Sequence, residues 1–216
     1  ATLVSLETGL FYNCTFSEAN GTRPMAGVDI EPNDTKQIVE KVTFRNCAFK
    51  DNANIGFLIV NVRKNVKDIN LLDCQFENNP AFSFSGEESS VEKVALRRCT
   101  IKNSILINRD KNDGSPSSAI KGASNVVIEG NTFINSGKVT IQKNTVTNEI
   151  PKNITIFNNT FIDSVGVEVR SGTNVKIFDN YIENFTNFGF FVNKFDNLIT
   201  KNIIINGNVI NGSKGG

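Results

Sequence analysis

An eight-residue motif, apolar-x-apolar-x-x-(Cys or Asn)-x-(Phe, Ile or Val), returns along almost the whole chain. It reads VTFRNCAF (42–49), INLLDCQF (69–76), VALRRCTI (94–101), VVIEGNTF (126–133), ITIFNNTF (154–161), VKIFDNYI (175–182) and IIINGNVI (203–210), with a weaker first copy, GLFYNCTF (9–16). Its sixth residue gives a marker series, Cys14, Cys47, Cys74, Cys99, Asn131, Asn159, Asn180 and Asn208, spaced by 21 to 33 residues. The mean spacing, about 28, lies in the range that signals repeat architectures: helical arrays, leucine-rich repeats or parallel β-helices. In all of these a unit packs only on its neighbours.

The local pattern chooses among the three. Each unit consists of short β-branched or aromatic runs with period-two alternation, such as Val42/Phe44, Ile69/Leu71 and Val126/Ile128, and none has a helix-length stretch with apolar residues three and four apart. A second run of the same kind follows each marker: GVDIEP (27–32), GFLIVNV (56–62), AFSFSG (81–86), SILINRD (104–110), KVTIQK (138–143), GVEVRSG (166–172) and GFFVNK (189–194). The chain is therefore predicted to be all-β, a single-stranded parallel β-helix of about eight coils with three short parallel sheets. Each coil has two strands around a tight Asn- or Asp-rich turn, then a loop, then a third strand.

In such a solenoid equivalent residues of successive coils stack about 4.8 Å apart, so one motif position becomes a column along the rod. Two residues after the marker the column is Phe16, Phe49, Phe76, Ile101, Phe133, Phe161, Ile182 and Val209 or Ile210, which must be core. The marker itself points inward at the turn, where an Asn amide can bond its equivalents above and below together with turn backbone groups. That role accounts for part of an unusual count, 32 Asn in 216 residues. All four cysteines fill the first four places of this column. Their spacing has nothing of a zinc pattern, and the Cβ atoms of parallel neighbours stand wider than a disulfide prefers, so a stack of free thiols is expected.

Composition narrows the function classes. With 23 basic and 22 acidic residues the chain lacks the footprint of a nucleic-acid or anionic-membrane binder, and no run of 18 apolar residues provides a membrane span. The absence of histidine removes histidine acid/base chemistry and most zinc sites, leaving carboxylates, Lys, Arg or Tyr for any catalysis.

The units NVVIEGNTFINSG (125–137), NITIFNNTFIDSVGVEV (153–169) and NVKIFDNYIENFTNFGFFV (174–192) resemble the right-handed parallel β-helices of the pectate-lyase-like superfamily, whose coils read NVTIxNNTFxNSxxxGIxV. The resemblance spans about residues 9 to 211. It implies a right-handed helix and a glycan groove across the GIxV strand and its flanking loops. Activity is left open, because the superfamily holds polysaccharide lyases, polygalacturonase-type hydrolases, mannuronate epimerases, phage tailspikes and surface proteins. The segment GVDIEPN (27–33) is similar to a motif of phage-type and secreted members, which implies an extracellular or virion-surface location. Tailspike relatives are trimers, so a homotrimer is implied for the full-length protein, although the chain has no coiled-coil heptads.

On the strand of GVDIEP, alternation sends Val28 and Ile30 inward and Asp29 and Glu31 to the outer face, roughly 6.6–7 Å apart. Glycoside hydrolases need such a pair, about 5–5.5 Å apart for retention or 6.5–9.5 Å for inversion, and flexible side chains can meet either. A lyase would use the same acids to hold Ca2+ or a uronate carboxyl; otherwise no metal or other cofactor is expected. The same columns in the next coils hold Leu58/Val60, Ser83/Ser85 and Leu106/Asn108, so the acidic pair is local. Substrate contacts are expected from Glu18, Arg23 and Asn33 in the neighbouring loops, and from Glu7 if LVSLE (3–7) forms the equivalent strand one coil earlier.

A second polar patch combines Thr140, Gln142, Glu168, Arg170 and Asn193, with Phe191 outward beside them as a sugar platform. Glu168 and Arg170 are expected to form a surface ion pair, or alternatively to touch substrate. Five coils, on the order of 24 Å, separate this patch from Asp29. The stretch RDKNDGSPSSAIKGAS (109–124) is predicted to be an exposed excursion, its Asp110, Asn112 and Asp113 only superficially like a calcium loop. The seven N-x-S/T sequons follow from Asn abundance in turns. Neither end offers a cap for the exposed core cross-section, so the single β-helix domain of residues 1–216 is expected to be a fragment of a longer chain. The leading expectation is a polysaccharide-binding and polysaccharide-degrading β-helix, hydrolase or lyase, with Asp29 and Glu31 catalytic. A non-catalytic structural or adhesive stalk is the alternative. An epimerase ranks last, since Glu31-Pro32 replaces its Asp-Pro motif without the accompanying Tyr and His.

Overall fold

The computed structural model describes residues 1–22, 24–60, 65–86, 91–103, 118–193 and 200–213. Among these every strand belongs to one of three eight-stranded sheets, and every strand pair within a sheet is parallel. Sheet B begins at Gly9–Tyr12 and ends at Thr200–Asn206, sheet C runs from Thr15–Ser17 to Val209–Ser213, and sheet A from Thr2–Leu3 to Phe190–Val192. Each coil passes through B, C and A in turn, which is the predicted β-helix.

The register follows the sequence columns. Phe16 pairs Phe49, Phe49 pairs Phe76, Ile101 pairs Phe133 and Phe161 pairs Ile182, which in turn pairs Ile210. Phe49 and Phe76 stack at 4.7 Å and Phe133 and Phe161 at 4.5 Å. Stacking like on like lets every coil reuse one rotamer, so the core packs densely without a helix or a second layer.

The marker column forms the expected ladder. Asn131 donates to Asn159 Oδ1 at 2.9 Å, Asn159 to Asn180 at 2.9 Å and Asn180 to Asn208 at 2.8 Å. The same Oδ1 atoms accept backbone N–H groups of the preceding coil, from Cys99 to Asn131 and from Asn131 to Asn159. In the earlier coils the cysteines are free, and their thiols donate to carbonyls instead, Cys47 to Phe11 and Cys74 to Phe44, each at 3.4 Å.

Three further columns account for much of the remaining asparagine. Residues in the left-handed region recur once per coil within sheet B (Asn125, Asn153, Asn174), at the B-to-C corner (Asn13, Asn46, Asn158) and after sheet C (Asn78, Asn103, Asn135). Asn tolerates positive φ because its short amide bonds locally, and here the amides also bond up the column, as from Asn174 to Asn153 and from Asn202 to Asn174 at 3.0 Å.

One strand differs from expectation. In the coil after Phe82–Ser85, the sheet A strand is Ser118–Lys121, with Ala119 beside Ser83 and Thr140, and not SILINRD. Residues 104–117, with Leu106, Asn108, Asp110, Asn112 and Asp113, lie outside the described residues. The expected excursion 109–124 is thus strand over 118–121, and Ala119 and Ile120 are buried. Gly122 then turns sharply at φ +73 beside the Gly86 carbonyl, and Asn144 of a later coil reaches back to bond that carbonyl at 3.2 Å.

Candidate functional site

The outer face of sheet A carries both predicted patches in one column. Pairing aligns Thr2, Asp29, Leu58 and Ser83, then Ala119, Thr140, Glu168 and Phe191. Alternation points these side chains away from the core, yet Asp29, Ala119, Thr140 and Glu168 are all at most 4% exposed. On sheet B, by contrast, the outward Leu10 and Tyr12 are more than 60% exposed.

At the first end, Val28 and Ile30 are in the core as predicted, and Asp29 faces outward but is 3% exposed, with Oδ1 lacking a hydrogen-bond partner. Burial of the charged form, reinforced by the Glu31 carboxylate and opposed by the terminal ammonium, lifts its pKa from 3.8 to about 6. Glu31 is half-buried just past the end of the strand Ala26–Ile30, its N–H donating to the Leu3 carbonyl at 3.1 Å and its charge acting on Asp29. A protonatable carboxyl beside a second carboxylate can divide acid and base roles between them.

The loop contacts are less convergent than expected. The strand one coil before Asp29 is Thr2–Leu3, so Thr2 occupies the Asp29 column. Glu7 lies past the corner instead: Leu6 bridges Val39 of sheet B, and the Glu7 charge acts on Lys41. Main-chain pairing sets this register, and period-two alternation alone fits several placements of LVSLE. Glu18 follows the sheet C strand Thr15–Ser17 at φ 57 and is exposed; Asn33 is exposed just beyond Pro32, and its N–H donates to Gln37 at 2.6 Å. Arg23 lies outside the described residues.

At the other end, Arg170 Nε meets Glu168 Oε1 at 2.9 Å, so the predicted ion pair is present, but it is not a surface pair. The Glu168 side chain is only 5% exposed, and Lys138 Nζ takes its other oxygen at 2.9 Å. Lys138, just before the strand Val139–Gln142, was not among the predicted residues. Its outward parity two places before Thr140 was the available signal. Arg170 also donates to Gln142 Oε1 at 3.3 Å. Thr140 is fully buried beside Glu168, with its hydroxyl lacking a partner. Phe191, 43% exposed and paired to Glu168 across the strands, has the Phe188 ring 5.4 Å away. Asn193 follows, half-buried, its N–H donating to the Val169 carbonyl at 2.9 Å.

Among the described residues no group of three or more acidic, His or Cys side chains is placed to hold a metal ion. Burial pushes the Cys47 thiol up and the Cys99 thiol well up, so these sulfurs are poor nucleophiles. A shallow depression of about 660 Å3 lies elsewhere, on sheet B, between Leu10, Tyr12, Lys41, Arg45 and Leu72.

A family model described as the right handed beta helix region matches residues 85–216. The chain belongs to that family. No curated protein matches the chain as a relative.

Proposed function

We propose that this protein binds an extracellular polysaccharide along the outer face of sheet A and hydrolyses it at Asp29 and Glu31, in the manner of tailspike-type depolymerases. The observation that carries this reading is the buried Asp29 carboxyl, with its pKa raised to about 6 beside a second carboxylate. In its protonated form Asp29 gives a proton to the glycosidic oxygen as the bond to the leaving sugar breaks. Glu31 takes the proton from an attacking water or attacks the anomeric carbon itself. Hydrolysis is favoured over elimination because two neighbouring carboxyl groups fit the acid and base pair with which glycoside hydrolases work.

Incubation with capsular and cell-wall polysaccharides tests the reading. Hydrolysis yields new reducing ends without ultraviolet absorbance, and Asp29→Asn and Glu31→Gln each lower the rate by about 100-fold or more. Absorbing unsaturated ends would replace hydrolysis with elimination, and full activity in both variants would remove the site. Binding without cleavage would leave a stalk or adhesin.

A further inference from the structure

The outer face of sheet B is open where that of sheet A is closed, and the depression on it follows from the register. Gly9–Tyr12, Val39–Arg45 and Val66–Leu72 lie side by side and are described throughout, so that Leu10, Thr43 and Asn70 form one outward row and Tyr12, Arg45 and Leu72 the next. Thr43 has the shortest side chain of the six. Leu10, Tyr12, Lys41, Arg45 and Leu72 stand around it and enclose about 660 Å3, within the range of small-ligand sites. A coil stacked before Gly9–Tyr12 would only extend this rim, because outward side chains of neighbouring strands flank one another and do not cover one another.

The lining combines carbon with donors. Leu10 and Leu72 supply aliphatic surface, and Tyr12, 61% exposed, supplies a ring. The charged groups are Lys41 and Arg45, with no carboxylate or amide side chain in the lining. Glu40 accepts one N–H of the Lys41 ammonium at 2.8 Å, which leaves two. Arg45 is exposed and makes no hydrogen bond to a described residue. Its Nε stands 3.7 Å from Asp73 Oδ2, and that carboxylate is already forked by Arg98 at 2.7 and 3.1 Å. A planar fork of donors beside aliphatic and ring carbon matches a planar carboxylate carried on a body with a C–H face.

We infer that this depression is a second glycan site, which holds a sugar ring bearing a carboxylate: the carboxylate on the Arg45 guanidinium with Lys41 alongside, and the C–H face of the pyranose against Tyr12, Leu10 and Leu72. It lies on a different sheet from Asp29 and Glu31, so it anchors a chain and cleaves nothing, and it stands whether or not the polymer is cut on sheet A. A neutral ring of the same shape leaves the Arg45 fork with water alone. Because Arg45 and Lys41 are exposed, the attraction weakens with salt.

The test is an NMR titration with a β-1,4-linked glucuronate tetrasaccharide, with cellotetraose, which has the same backbone without the carboxylates, and with sodium acetate. The glucuronate probe should shift the Leu10 and Leu72 methyls and the Tyr12 ring, bind about tenfold more tightly than cellotetraose, and weaken in about 0.5 M salt. Arg45→Gln should remove that difference, with Arg45→Lys restoring part of it. Thr43→Phe, which fills the floor from an outward strand position, should abolish the shifts and leave the melting temperature unchanged. Equal affinity for the two tetrasaccharides, equal shifts from acetate, or undiminished binding by Arg45→Gln or by Thr43→Phe overturns the inference. So does binding that shifts only residues of sheet A, a result that leaves the cleavage proposal standing.

Discussion

The coils before and after Asn131 share one backbone shape and reach it with different chemistry. In the earlier coils the marker column is sulfur and the left-handed column within sheet B is charged, Lys41, Asp68 and Lys93, with Lys93 3.9 Å from Asp68; at the B-to-C corner Arg98 is forked onto Asp73 at 2.7 and 3.1 Å. In the later coils the marker column and the left-handed column within sheet B are both asparagine, each amide bonded to the next. The family model begins at residue 85, so it covers the asparagine coils and leaves most of the sulfur coils unmatched. The apolar Phe column crosses the boundary unbroken. Stacked apolar side chains and parallel pairing therefore set the coil, and the corner chemistry is interchangeable so long as each turn donor finds an acceptor.

The largest expected effect tests whether amide and thiol columns differ in what they hold. Asn159→Ala strips acceptors from the Asn131 N–H and amide and a donor from the Ile128 carbonyl, all buried, at a cost of about 3 kcal/mol or more in urea unfolding. Cys74→Ala removes a weak donor and a small volume, costing about 1 kcal/mol. Equal losses would erase the distinction between the two halves.

Next in size is a pH effect confined to the sulfur half. Because the folded Asp29 pKa is raised from 3.8 to about 6, the native state holds its proton more tightly than the unfolded chain. Stability is then greatest below pH 3.8 as far as this group is concerned, falls as pH rises through about 6, and the whole span is worth up to about 3 kcal/mol. Asp29→Asn should flatten that slope and raise the melting temperature at pH 7.5; an unchanged slope would place the burial penalty elsewhere. The smallest effect separates the left-handed columns. Asn153→Ala should cost about 1 kcal/mol at any salt, since Ala resists positive φ. Arg98→Ala, at an exposed pair, should shift the unfolding midpoint only at low ionic strength, with no difference left in molar salt.

The rod was legible because its period is written in strong residues: Phe49, Phe76, Phe133 and Phe161 fix the register with no knowledge of the loops. The strand Ser118–Lys121 was not, since Ser118 and Ala119 have turn-like or featureless chemistry and SILI alternates more strongly nearby. For the site, alternation gave the directions of Asp29 and Glu168 correctly. Their burial was hidden, because facing outward says nothing about what lies over the face. Lys138 was missed for the same reason, and Glu7 because only pairing to Asp29 decides which residue shares its column.

The inward ladder has a direction. From Cys74 onward, the backbone N–H of each marker donates to the side chain of the marker that follows it in sequence: Cys74 to Cys99, Cys99 to Asn131, Asn131 to Asn159, Asn159 to Asn180, Asn180 to Asn208. Ser136 donates to Ser164 in the same sense. Each of these coils thus carries a donor that only its successor can satisfy, so as the chain leaves the ribosome a coil is finished not when its own residues have emerged but when the next one has. Arresting synthesis one coil early should leave the last turn open to proteases, and the vulnerable site should move along the chain with each coil released.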